Sequence, residues 1–172
     1  MKRGKTLKVI VAITGATGSI FGIRILEILK NIKDVETHLI LSKWGRETIE
    51  SETNYTIEEV KLLAEVTYET EDLGARISSG SFQVEAMIVA PCSMKTLASI
   101  RIGLADNLVS RAADVTLKER KKLILLTRET PFNTIHLENM LALSRMGAII
   151  LPPMPAFYNH PKTIDDIINH IA

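Results

Sequence analysis

Only one cysteine, Cys92, occurs in the 172 residues, which excludes an internal disulfide framework and points to a reducing, cytoplasmic setting. No histidine lies near it in sequence to activate a thiolate, so Cys92 reads as a small buried residue and not as a nucleophile. The four histidines are dispersed without zinc spacing, and the expectation is a metal-free protein. Neither sign of charge is in excess: 21 Lys and Arg stand against 20 Asp and Glu, which gives no nucleic-acid-binding surface and no acidic tail. No apolar run is long enough to span a membrane. The basic start of the chain leads straight into a strand, without the apolar core and small-residue cleavage site of a signal peptide. Internal repeats, linkers and low-complexity tracts are missing too. What is present is a hydrophobic content of 46%, ample for one core, so residues 1–172 are expected to form a single domain.

Hydrophobic periodicity orders that domain. Leu7 to Thr14 is rich in β-branched residues and ends at GATGS, which opens a helical pattern through Ile20, Ile23, Leu26 and Leu29. His38 to Leu41 closes a second strand, and Ser42 is placed to cap a helix running through Trp44 to Glu50. Ile57 to Ala64 carries a short helical pattern, and the Gly- and Ser-containing segment Asp72 to Phe82 reads as a loop. Met87 to Ala90 and Leu123 to Leu126 lack polar alternation and read as buried parallel strands, with helices from about Met94 and about Asp106 between them. His136 to Met146 is helical, Gly147 ends it, Ala148 to Leu151 is a further strand, and Ile164 to Ile171 begins a last helix beyond a proline-rich segment. Such alternation predicts an α/β fold with a doubly wound parallel sheet and helices on both faces.

Ligands of open α/β sheets bind at the carboxyl ends of the strands, so polar residues there are the candidates for chemistry. Gly15-Ala16-Thr17-Gly18-Ser19 permits a tight strand-to-helix turn whose helix N-terminus attracts an anion, although a plain turn explains it equally and the dinucleotide spacing is not met. Ser42 fits both an N-cap and a ligand contact. Ser93 can cap the next helix while Met94, Lys95 and Thr96 face a ligand, with a solvated Lys95 as the alternative. On the helix from Asn107 to Lys118, Leu108, Val109, Ala112, Ala113 and Val115 share one face at about 100° per residue, and Arg111 and Lys118 fall within about 20° of each other at its border. They lie about 10 Å apart along the axis, so they flank an extended anion or form a solvated ladder with Asp114. Arg128 and Glu129 end an apolar strand at the ligand edge: an Arg there offers a rigid fork to phosphate and a Glu can manage a proton, or the two form an ion pair with each other. Glu52 is a weaker carboxylate candidate near a helix end, and the Tyr158 phenol can donate to a phosphate or simply pack. Together these cations point to an anionic, phosphorylated ligand.

The segments GATGS, LSKWGRETIESET, SSGSF, APCSMKTLASI, SRAADVTLKER, LLTRETP, HLENMLALSRMGAIILPPMPAFY and PKTIDDII resemble the UbiX-like flavin prenyltransferases, nearly end to end. The resemblance implies a Rossmann-like or flavodoxin-like fold. It also implies transfer of the dimethylallyl group of dimethylallyl phosphate to N5 and C6 of reduced FMN, without a metal. Prenylated FMN would then serve a partner UbiD-like decarboxylase in ubiquinone biosynthesis or aromatic-acid decarboxylation. By motif, Gly15, Ala16, Thr17, Ser42, Ser93, Met94, Lys95, Thr96 and Arg128 would bind FMN, with Thr17 where serine is common. Arg111, Lys118, Glu129 and Tyr158 would surround the prenyl phosphate and reaction centre, and Glu52 matches an active-site carboxylate. The resemblance further implies homo-oligomers, often dodecamers, with sites at subunit junctions. It implies a basic residue and a tail just past Ala172, so a short C-terminal tail is expected to be lacking. A flavin-dependent cysteine decarboxylase is the alternative enzyme, but its PASANT-like motif and its histidine after the first helix are not found. An FMN-binding electron carrier is the non-enzymatic alternative, and it leaves Arg111 and Lys118 without a use.

Overall fold

Residues 6–172 are described by a computed structural model, and the basic Lys2, Arg3 and Lys5 lie outside them. The β-branched run Leu7–Ile13 forms β1, and the glycine turn after it delivers the chain into α1, Ser19–Lys30. β2 (Val35–Leu41), α2 (Lys43–Glu52), α3 (Ile57–Lys61) and β3 (Val66–Glu69) complete one half. In the other half, β4 (Ala86–Cys92) leads to α4 (Met94–Arg101) and α5 (Leu108–Lys118). β5 (Lys122–Thr127) leads to α6 (Thr134–Arg145), and β6 (Ile149–Ile150) to α7 (Ile164–Ile171). Every strand pair is parallel, in the order β3-β2-β1-β4-β5-β6. The fold is thus the expected doubly wound α/β sheet.

Both sheet faces are covered, which is why the central strands are apolar without alternation. Ile10, Ala12, Met87, Val89, Leu123 and Leu125 face one layer, where Leu97, Leu108, Ala112 and Leu143 of α4, α5 and α6 pack on them. Val11, Ile13, Leu39, Leu41 and Leu126 face the other, against Ile23 and Leu26 of α1 and Ile49 of α2. Among the described residues no helix is long and apolar enough to cross a membrane.

Three details depart from the periodicity reading. β3 was not anticipated: Val66–Glu69 is a half-exposed edge strand paired only with β2, so it has no long apolar run to betray it. The segment Asp72 to Phe82 contains a single 3-10 turn at Arg76–Ser78. The strand expected over Ala148 to Leu151 shrinks to Ile149–Ile150, because Gly147 at φ +99° ends the helical turn before it and Pro152 cannot continue the ladder after it. Connections leave β1 toward β2 and β4 toward β5. The switch point between β1 and β4 therefore opens a crevice at their carboxyl ends.

Candidate functional site

Two clefts open at that edge, and the turn from Thr14 to Gly18 is the wall between them. The first, about 320 Å³, is lined by Thr14, Gly15, Ser42, Lys43, Trp44, Thr70, Ser93, Lys95, Thr96, Asn107 and Ser110, among others. Three helices begin here. Ser42 Oγ accepts the Gly45 N–H at 2.9 Å, Ser93 Oγ the Thr96 N–H at 3.2 Å, and Asn107 Oδ1 the Ser110 N–H at 3.1 Å. Ser42 and Ser93 are therefore caps and cleft walls at once. At α4 the cap leaves the Met94 and Lys95 amides without an intrahelical acceptor, and with the helix dipoles they favour an anion. The Lys95 ammonium has no hydrogen-bond or ion-pair partner among the described residues. Gly15 cannot carry a side chain, because a Cβ would run into the Cβ of Trp44.

The second cleft, about 440 Å³, is lined by Thr17, Gly18, Phe21, Thr127, Arg128, Glu129, Thr130, Phe132, Pro152, Pro153 and Met154. It is more apolar, with one charge of each sign. The Arg128–Glu129 pair admitted from sequence does not form: Glu129 Oε1 accepts the Thr130 N–H at 3.1 Å, and the Arg128 guanidinium has no partner among the described residues. The Thr127 hydroxyl beside them is buried and unpaired. Gly18, at φ +97°, heads α1 with no side chain to cap it. Glu52 takes part of that role, its Oε2 accepting the Gly18 N–H at 2.8 Å from the far end of α2. Sequence distance hid this contact, since the two residues stand 34 apart. Ala16 lies within the turn, its N–H on the Thr14 carbonyl at 2.9 Å, and Met94 packs half-buried against the core; neither lines a cleft.

Arg111, Lys118 and Tyr158 are not brought to either cleft. The Arg111 Nε donates to the Ser78 carbonyl at 3.1 Å and its Nη1 pairs with Asp114 at 3.0 Å. Lys118 pairs with Glu119 at 3.2 Å, not with Asp114. For Lys118 the cause is the direction of α5, which starts at the first cleft and runs back toward the amino ends of the strands; Arg111, one residue past the cleft-lining Ser110, is turned away by its bonds to Ser78 and Asp114. Tyr158 is 78% exposed, with its hydroxyl 3.4 Å from His170 Nε2 on α7. Cys92 is fully buried and its thiol is pushed up to about 12 by burial, as suits a packing residue. Among the described residues no group of three or more His, Cys, Asp or Glu converges as a metal site.

The Flavoprotein family model matches residues 2–172. A UbiX-like flavin prenyltransferase of Bacillus subtilis is 63% identical over 171 residues, 99% of this chain and 83% of that protein. The chain belongs to the UbiX-like flavin prenyltransferases. Among solved structures, the dodecameric FMN-dependent UbiX-like decarboxylase of Escherichia coli O157:H7 superposes with a TM-score of 0.95 at 59% identity, covering 96% of this chain and 90% of that one. AnUbiX (PadA1), solved in complex with FMN and dimethylallyl pyrophosphate, superposes with a TM-score of 0.95 at 50% identity over 97% and 88% of the two chains. The residues of this UbiX-like chain fit a phosphorylated flavin: unpaired Lys95 and Arg128, the orphaned Thr127 hydroxyl, and open first-turn amides flank a single turn.

Proposed function

We propose that this UbiX-like chain is a metal-independent flavin prenyltransferase, joining the dimethylallyl group of dimethylallyl phosphate to N5 and C6 of reduced FMN. The observation that carries the reading is the shared wall: a polar cleft rich in helix N-termini and an apolar cleft with Arg128 lie on opposite sides of the Thr14 to Gly18 turn. An extended ligand with a phosphate at one end and a flat apolar ring at the other suits both. In this reading Gly15, Ser42, Ser93, Met94, Lys95 and Thr96 hold the phosphate end by amides, hydroxyls and one ammonium, while Ala16, Thr17 and Arg128 orient the ring.

Reduced FMN supplies nucleophilic N5 and C6. The chain supplies surroundings for charge. Phe21, Phe132 and Met154 exclude water from the allylic carbon, and the two phenylalanines offer aromatic faces to developing positive charge. Arg111, Lys118 and Tyr158 stabilise the departing phosphate, each cation oriented by present ion pairs that the phosphate would replace. Because they lie away from both clefts of their own protomer, neighbouring copies supply them, in a homo-oligomer that we take to be a dodecamer. The exposed Ile135, Leu137, Leu141, Met146, Met154 and Phe157 around α6 and β6 give such an assembly its apolar contact surface. The proton leaving C6 has Glu129, Glu52 and the released phosphate as acceptors. Glu129→Gln and Glu52→Gln separate them, since only loss of the true base would stall turnover after the first bond.

A UbiD-like decarboxylase of ubiquinone biosynthesis or aromatic-acid decarboxylation would receive the product, in the cytoplasm, where a buried single cysteine is at ease. The reading involves no nucleic acid and no membrane span. Anaerobic incubation with reduced FMN and dimethylallyl phosphate, followed by flavin mass spectrometry, tests the proposal. A prenylated flavin is expected; recovery of unmodified FMN alone would overturn it.

A further inference from the structure

One buried hydroxyl ties the carboxyl ends of β1 and β4 together. Thr14, 2% exposed, donates from Oγ1 to the Pro91 carbonyl at 2.7 Å and accepts the Ser93 N–H at 3.0 Å. Its own N–H reaches the same Pro91 carbonyl at 3.3 Å. The hydroxyl thus uses its single proton and a lone pair on two groups of another strand, and only Thr or Ser can do both from this small space. Ser93, fixed in this way by its amide, turns its own Oγ to α4, accepting the Thr96 N–H and donating to Thr96 Oγ1 at 3.0 Å. The turn bearing Gly15 and the turn bearing Ser93 are therefore one rigid joint at the switch point.

We propose that Thr14 is a positioning residue for the phosphate end of FMN: it holds the Gly15 turn and the Ser93 cap in one register, so that both engage the same anion. The inference rests on the flavin reading above and deepens it. Thr14 acts through Ser93 and Gly15, because its hydroxyl is spent on Pro91 and Ser93.

The test uses the full-length chain in three variants, Thr14→Val, Thr14→Ser and Thr37→Val. Thr37 is an equally buried threonine whose hydroxyl bonds Glu65, outside both clefts, and it serves as the stability control. Affinities for FMN and for riboflavin, which lacks the phosphate, are measured by fluorescence titration. Thr14→Val is expected to weaken FMN by about tenfold and riboflavin by less than about twofold, the order of one lost hydrogen bond. Thr14→Ser is expected to match the native protein, and Thr37→Val to melt earlier with unchanged FMN affinity. Equal loss of both flavins in Thr14→Val, or no loss of FMN, would overturn the positioning role while leaving the flavin reading intact. Native protein that binds neither flavin would defeat both. Should Thr14→Val fail to fold, amide exchange on the native protein decides. The Ser93 N–H should exchange about a hundredfold more slowly than the Met94 N–H, and equal rates would overturn the joint.

Discussion

Lys95 and Arg128 stand out because each lines a cleft and has no partner among the described residues, while Arg24, Arg46, Arg111 and Lys118 are all paired away from the clefts. A cation left free at a strand's carboxyl edge stays available for a ligand. Replacing either by alanine should weaken FMN by the value of a charge-assisted contact, about 1.5–3 kcal/mol, or roughly ten- to a hundredfold in Kd by titration, with little change in melting temperature. Another residue-scale feature is unrelated to the site. His38 is buried between Tyr68, at 3.1 Å from Nδ1, and Glu36, at 3.0 Å from Nε2. Burial lowers its pKa below the usual 6.5, outweighing Glu36, which raises it, while Lys8 and Arg76 add to the lowering. The unfolded chain therefore binds the proton more readily, so stability is intact above about pH 6.5 and declines as pH falls below it. Melting curves from pH 7.5 to 5.5 should show a decline that His38→Gln flattens; a slope unchanged in the variant would refute the assignment.

At the scale of elements, the apolar strands and their polar ends were legible because a parallel strand covered on both faces must be apolar and then stop. β4 and β5 gave themselves away in that manner. β3 did not, since an edge strand of four half-exposed residues has no such signature. The roles of Glu52 and Thr14 were hidden for a different reason: their partners come from other elements, 34 residues away for one and 77 and 79 for the other. Local pattern reports local bonds. Packing of α1 offers a check at this scale. A Cβ on Gly22 would strike the Ala90 carbonyl and approach Ile13 Cγ1 to 2.8 Å, both rigidly held in the sheet. Gly22→Ala should cost about 1–3 kcal/mol from overpacking, offset in part by about 1 kcal/mol of helix propensity. The expected result is a lower melting temperature with unchanged flavin affinity in the folded fraction.

For the whole molecule, the separation of Arg128 and Glu129 from Arg111 and Lys118 makes a prediction about mixtures. Lys118→Ala and Arg128→Ala proteins, each impaired alone at limiting FMN, should regain a fraction of activity when their subunits are exchanged, because some junctions then combine two intact halves. Absence of any recovery after verified exchange would place all four residues in one protomer's site. The direction of α5 and the bonds of Arg111 are what separate them. If neighbouring copies supply Arg111 and Lys118 as proposed, a single newly made subunit would bind its flavin but lack the cations that draw phosphate away from the prenyl donor. On that arrangement dilution should switch the chemistry off before it releases the flavin, and a half-assembled protein would be unable to squander dimethylallyl phosphate on water.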